Sequence, residues 1–361
     1  MVPGSDDILS TSSWVIAIAA ALLSAALTGW VRRQALRRQW LDVPNERSSH
    51  RAPTPRGGGL GIVIAAAVGF VTLWATGAMN ARLCAALVGG GLAVAWIGFR
   101  DDRTPVGPGT RLAVHMAAAA WALAWLGGVP PIQFGTTTVE FGLFGYLLGA
   151  LAIGWVLNLF NFMDGIDGIA ASEAAFMALA GAVLAGGSSA LGVPAAGLVF
   201  GAACLGFLAW NWPPAKIFMG DVGSGFLGYV LAVLALAAMW ESPVALFAWL
   251  ALGGVFFVDA SITLARRLLR GERVHEAHRS HAYQWLARRW GAHLPVTLAV
   301  LAVNLLVLLP VASFCIAYPE RAATALVAAL VVLGLFALMA GSGRAEVSPA
   351  TAVAAVRNSK E

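Results

Sequence analysis

The sequence predicts an all-α, polytopic integral membrane protein, and three observations carry that prediction. The chain is 59% hydrophobic and 11% charged over 361 residues, against roughly a quarter charged in ordinary soluble proteins. Eleven apolar segments reach or approach the ~20 residues that cross a bilayer as a helix. Of its 23 lysines and arginines, 21 fall on one side of an eleven-span arrangement. Backbone polar groups in hydrocarbon must be satisfied within their own segment, so spans of this length must be helical.

The segments run 13–31, 58–78, 81–99, 111–128, 143–160, 170–187, 191–210, 222–240, 243–265, 294–317 and 321–341. The first lacks a positive region ahead of it and reads as a retained span, not a cleaved signal. Between the fourth and fifth, "VPPIQFGTTTVEFG" (129–142) combines Pro, Gly and β-branched residues and reads as a short extended loop or hairpin. Residues 1–341 form one transmembrane domain, and 342–361 are a polar tail expected to be mobile. Seven arginines follow the first segment, seven follow the ninth, and Arg82 and Arg321 alone lie opposite. The positive-inside rule then places the N-terminus in the periplasm and the C-terminus in the cytoplasm. The net charge of +5 is therefore a topology signal and points to no nucleic-acid partner. Cys84, Cys204 and Cys315 sit in separate apolar segments and read as packing residues. The fourteen tryptophans, mostly near span ends, read as an interfacial belt.

The loops on the basic side hold nearly all the titratable residues. They are "LDVPNERSSHRAPTPRGGG" (41–59), "RDDRTPVGPGTR" (100–111), "NLFNFMDGIDGIA" (158–170), "NWPPAKIFMGDVGSG" (211–225) and "RRLLRGERVHEAHRSHAYQ" (266–284). Acids near lipid are costly and usually functional. Asp101, Asp102, Asp164, Asp167 and Asp221 are short carboxylates beside glycines or at helix ends. One such acid could merely cap a helix. Five on one membrane face suit Mg²⁺, which takes one or two carboxylates and leaves positions for water and substrate phosphates. Glycines on both sides of Asp221 leave room for close approach. Arg273, His275, His278, Arg279 and His281 fall within nine residues and suit phosphate binding and proton movement. Arg266, Arg267 and Arg270 read as a headgroup anchor, and Asp259, inside the ninth segment, as a paired helix-end acid. Metal carboxylates with phosphate-binding arginines fit phosphoryl transfer, where charge neutralisation and positioning do most of the work. A secondary transporter is the rival of another class, but its acids would lie near the midplane and not at one face.

"SSHRAPTPRGGG", "DDR", "NLFNFMDGIDG", "NWPPAKIFMGDVGS" and "EAHRSHAYQ", in this order between these spans, resemble the polyprenyl-phosphate N-acetylhexosamine-1-phosphate transferases of glycosyltransferase family 4. The match covers roughly 40–285. The resemblance implies ten or eleven spans and a cleft open to the cytoplasm of the bacterial inner membrane. There a UDP-N-acetylhexosamine gives its sugar 1-phosphate to undecaprenyl phosphate, with UMP leaving. It implies Mg²⁺, with Mn²⁺ as a substitute, and leaves a homodimer open. By motif position it makes Asp101 and Asp102 the catalytic pair, one of them the base, and Asp221 the metal ligand. Asn158, Asn161, Asp164, Asp167, Asn211 and Arg51 match substrate-site positions, and Asp259 an aspartate recurring before the last basic run. His278, Arg279 and His281 would hold sugar or diphosphate. Tyr283 and Gln284 stand where many relatives carry His-His. That departure argues against the peptidoglycan phospho-MurNAc-pentapeptide translocase, which stays the alternative, and resembles enzymes that start O-antigen chains. It leaves the sugar open.

Overall fold

The computed structural model describes residues 10–44, 52–186, 189–272 and 278–345. Every apolar segment is helical. In order they are α1 (Thr11–Arg37), α2 (Leu60–Ala75), α3 (Ala81–Asp101), α4 (Pro108–Leu126), α5 (Gly142–Met163), α6 (Ile169–Leu184), α7 (Val193–Asn211) and α8 (Asp221–Glu241). A bent pair follows, α9 (Ala245–Leu252) and α10 (Gly254–Leu269), then the short α11 (Ala282–Trp290), and finally α12 (Leu294–Ala317) and α13 (Pro319–Ala340).

Fewer helices than the eleven expected spans meet a length-and-composition test for a crossing. Among the described residues, seven helices are long and apolar enough to cross a membrane, or eight with the pair α9–α10, which bends by 73° at Gly253. The shortfall has physical causes. α2 and α6 have 16 residues each, short of the ~20 that reach across a bilayer at 1.5 Å per residue. α4 carries Arg111 and His115 in its first half. The expectation of helix alone also needs a small amendment. β3 (Ile132–Phe134) and β4 (Thr137–Val139) form the hairpin expected in 129–142, and β1 (Leu41–Asp42) pairs with β2 (Thr54–Pro55).

α8 is the axis of the bundle, with 89% of its apolar window buried, against 11% for α13. α3 and α5 flank it, while α1 packs on α7 and α2. Close approach depends on small residues: a Cβ on Gly228 of α8 would meet the backbone of α5 at Val156 and Leu157. This packing of small residues is the usual way of joining helices where apolar burial alone offers no drive. Because α8 is central, its N-terminal residue, Asp221, stands where the ends of α3 and α5 converge.

The first residues of the expected tail are in contact with the bundle. Residues 342–344 are docked, not loose: Arg266 donates to the Ser342 carbonyl at 2.7 Å, Arg270 to that of Gly343 at 2.6 Å, and the Gly343 N–H to the Ser280 carbonyl at 2.7 Å. Arg266 and Arg270 therefore hold the chain, where the sequence suggested a headgroup anchor, and Arg267 pairs with Glu272 at 2.8 Å.

Candidate active site

The polar end of α8 is assembled from four loops. Backbone hydrogen bonds join the first to the fourth: Phe218 N–H to the Pro55 carbonyl (2.8 Å), and Gly58 and Gly59 N–H to Phe218 and Met219 (2.9 Å each). That pairing sets Arg56 directly over Asp221. One guanidinium nitrogen of Arg56 lies 2.7 Å from Asp221 Oδ1 and 2.9 Å from Asp102 Oδ1. Arg111 reaches Asp101 at 2.5 Å and Asp221 at 3.6 Å. Three acids from two distant segments thus share two arginines.

The adjacent aspartates have different tasks. Asp102 caps α8 from outside, accepting the N–H groups of Asp221 (2.8 Å) and Val222 (3.1 Å), where the helix dipole favours negative charge. Gly220, at φ +77°, makes this possible, because a Cβ there would stand 2.5 Å from Asp102 Oδ2. Asp101 accepts the Val106 N–H at 2.7 Å and turns towards Arg111. Burial raises the Asp102 carboxyl above its ordinary value, with Arg56 pulling the other way. The glycines around Asp221 serve packing: Gly220 admits Asp102, and Gly223 touches Gly59.

Beneath Asp221 is a polar cavity of about 240 Å³, lined by Asn161, Asp164, Asp167, Ser224, Gln284 and His293 among others. Asp164 makes no hydrogen bond among the described residues. Burial and the neighbouring Asp221 carboxylate push its carboxyl well above the usual range. Asp167 is held by the Ala215 N–H (3.0 Å) and by His293 Nδ1 (3.2 Å). Asn161 donates to Ser224 at 3.0 Å. Asn211 is spent on structure, accepting the Gly168 N–H and donating to the Ile217 carbonyl. Asn158 faces a second cavity of about 140 Å³ shared with Arg111, His115 and Asp221. Asn161 and Asp221 line both.

The histidine loop goes elsewhere. His281 is 1% exposed and stacked between His278 and Tyr283, 3.8 Å from the buried Asp259. Burial, with the charges of His281 and Arg267, lowers His278 to about 3. The Arg279 carbonyl accepts from Arg288. None of His278, Arg279 and His281 lines the polar cavity. Its wall is made instead by α11: Tyr283 donates to the Phe162 carbonyl at 3.0 Å, and Gln284 faces the cavity. Asp259 sets that wall by accepting the N–H groups of Ala282 (2.8 Å) and Tyr283 (3.2 Å) and the Ser342 hydroxyl (2.6 Å). Arg51, Arg273 and His275 lie outside the described residues.

Sequence reasoning missed Arg56, Arg111 and His293. The arginines were counted as topology charges. His293 had a signal, a lone histidine at the basic end of an apolar segment.

The donor set suits a divalent ion. Among the described residues no group of three His, Cys, Asp or Glu has metal spacing. Asp102 and Asp221 close on one cationic nitrogen, and two such carboxylates could hold an ion that keeps water and substrate oxygens. The family model described as glycosyl transferase family 4 matches residues 84–239. A probable undecaprenyl-phosphate N-acetylglucosaminyl 1-phosphate transferase of Bacillus subtilis (strain 168) is 30% identical, covering 75% of this chain and 76% of its own. The decaprenyl-phosphate N-acetylglucosaminephosphotransferase of Mycobacterium tuberculosis (strain ATCC 25618 / H37Rv) is 30% identical over 90% and 88%. A phospho-N-acetylmuramoyl-pentapeptide-transferase of Trichormus variabilis is 36% identical over 68% and 66%. With relatives this similar over so much of its length, the chain belongs to glycosyl transferase family 4, among the polyprenyl-phosphate N-acetylhexosamine-1-phosphate transferases.

Proposed function

We propose that the protein transfers an N-acetylhexosamine 1-phosphate from a UDP-sugar to undecaprenyl phosphate in the bacterial inner membrane, as the first membrane step of O-antigen or another cell-envelope polysaccharide. The observation that carries this reading is the convergence of Asp102 and Asp221 on one Arg56 nitrogen beside a polar cavity. The names of the relatives, several of them N-acetylglucosamine 1-phosphate transferases, favour N-acetylglucosamine as the sugar.

An acceptor phosphate oxygen attacks the sugar-bearing phosphorus of the donor. The new P–O bond forms as the bond to the bridging oxygen breaks, and UMP leaves with the electron pair. A proton still on the acceptor passes to a carboxylate of the Asp101–Asp102 pair. Asp221, with Asp102, would hold Mg²⁺ or Mn²⁺, which supplies charge neutralisation on the diphosphate. Arg56 and Arg111 then turn to phosphate oxygens, for which a guanidinium fork is well shaped. Asp164, Asn161 and Gln284 face the donor. Asp167 and His293 hold the cavity floor through Thr297, whose hydroxyl donates to the Asp167 carbonyl at 3.0 Å.

The test is UMP release by purified protein with undecaprenyl phosphate, Mg²⁺ and a panel of UDP-N-acetylhexosamines, with and without EDTA. Metal-dependent UMP from one sugar supports the reaction and names the donor. Turnover of UDP-MurNAc-pentapeptide instead would make it the peptidoglycan translocase, and no UMP from folded protein would end the transferase reading.

A further inference from the structure

Burial along the last helix changes abruptly at its end. α13 buries only Ala322 and Leu326, and no residue of 327–340 is buried. The chain then enters the bundle: Gly341, Ser342 and Gly343 are all buried, Ser342 completely. Gly341 and Gly343 have φ of +109° and +66°, a region that side chains disfavour. A Cβ on Gly343 would also stand 2.9 Å from Arg266 Cβ. Gly-Ser-Gly therefore suits this path closely. Ending a helix asks for less. The Gly341 N–H and the Ser342 N–H both return to the Ala337 carbonyl, at 3.0 and 2.9 Å, and one left-handed glycine is enough for such a stop. The Ser342 hydroxyl and Gly343 are not needed for it.

What they do serve is α11. The Ser342 hydroxyl donates to Asp259 Oδ1, the oxygen that also accepts the Ala282 N–H, while Oδ2 accepts that of Tyr283. These are the first two amides of α11, donors that a helix start leaves without an internal partner. The Gly343 N–H donates to the Ser280 carbonyl just ahead of them, and a Cβ on Gly341 would stand 3.0 Å from the Trp285 ring. With nine residues, α11 is too short to hold itself and depends on tertiary contacts. Its far side meets the polar cavity. Tyr283 donates to the Phe162 carbonyl. A Cβ on Gly165 would overlap the Tyr283 hydroxyl and stand 3.2 Å from Gln284 Nε2. Asp164, Gly165 and Gln284 all line that cavity. One run of contacts thus leads from the segment after the last helix to the turn that carries Asp164.

We propose that residues 341–343 are a latch on the polar cavity, with Ser342 a positioning residue that, through Asp259, holds α11 against the 162–165 turn and so sets the wall that the UDP-sugar meets. The role of that wall in donor binding rests on the transferase reading above; the coupling of Ser342 to α11 does not.

The test compares the full-length wild type with Ser342→Ala, which removes the hydroxyl, and Gly343→Ala, which displaces the segment and leaves the hydroxyl in place. Hydrogen exchange, read by mass spectrometry in detergent without substrate, should show the amides of 282–290 exchanging about tenfold faster in both variants. In UMP-release kinetics, both should raise the KM for the UDP-sugar about fivefold. The kcat and the KM for undecaprenyl phosphate should stay as in wild type. Unchanged exchange over 282–290 in both variants would overturn the proposal. So would a native KM for the UDP-sugar, or a loss spread equally over kcat and both KM values, which would make the segment a structural brace. Because exchange needs no donor, it separates the two claims. Faster exchange in a chain that releases no UMP from any sugar would sink the reaction and keep the coupling, and UMP release with unchanged exchange would do the reverse.

Discussion

The two most charged regions of this chain use their arginines in opposite ways. Around α8, Arg56 and Arg111 point into a shared space and bridge acids from segments more than a hundred residues apart. In the 266–290 region, Arg266 and Arg270 point at backbone carbonyls of 342–343, and His281 is buried beside Asp259. The first arrangement leaves carboxylates facing a cavity. Among its described residues the second places no histidine or arginine on that cavity and instead fixes α11, whose Gln284 lines it. Density of basic residues is therefore a poor guide to which cations meet the cavity. What matters is whether the cations meet acids that a substrate or ion could replace them on.

The comparison can be broken in steps. The largest effect is expected for Asp221→Asn and Asp102→Asn, each lowering turnover at least ~10³-fold while the protein stays monodisperse in detergent. Asp102→Asn should also lower the melting temperature, since it weakens the cap on α8. Arg56→Gln should cost about 10²-fold in turnover, whereas Arg266→Gln, in the other region, should act on stability and leave the rate per folded molecule nearly intact. Equal losses of rate in both would erase the distinction drawn here. Asp259→Ala removes a buried acceptor of four hydrogen-bond donors and should destabilise by about 3 kcal/mol, read by thermal or denaturant unfolding in detergent. Smallest is a pH effect. His278 stays neutral in the fold down to about 3, while its unfolded form takes a proton near 6.5. The unfolded state thus binds more protons between those values, so stability rises with pH across that window and falls on acidification. His278→Gln should flatten the loss of melting temperature between pH 6.5 and 4.

Much of the fold was legible because lipid imposes a simple rule. Each apolar run became a helix within a few residues of its expected ends, and the Pro- and Gly-rich stretch became a hairpin. Helix length was less legible: α2 and α6, expected as full-length spans, have 16 residues each. Spacing and composition singled out Asp101, Asp102, Asp164 and Asp221, because acids beside glycines at one membrane face are rare, and the structure places them around one end of α8. They could not find Arg56 as the partner of Asp221, which depends on backbone pairing of 55–59 with 218–219. Nor could they tell that Asn211 is consumed by Gly168 and Ile217, or that Ser342 reaches Asp259. Such contacts link residues far apart in the chain and leave no periodic signal. Tyr283 and Gln284 were noticed as a departure in sequence, but only the capping of α11 by Asp259 shows that Gln284 reaches the cavity while Tyr283 ties α11 to Phe162.

The central claim is that Asp221 and Asp102 form a seat for one divalent ion, with Arg56 standing in for it. Mn²⁺ titration of the purified chain, followed by electron paramagnetic resonance, tests this without any substrate. The account predicts one bound ion per chain, lost in Asp221→Asn and bound more tightly in Arg56→Gln, where the competing cation is gone. Mn²⁺ binding that is the same in wild type and Asp221→Asn would contradict it.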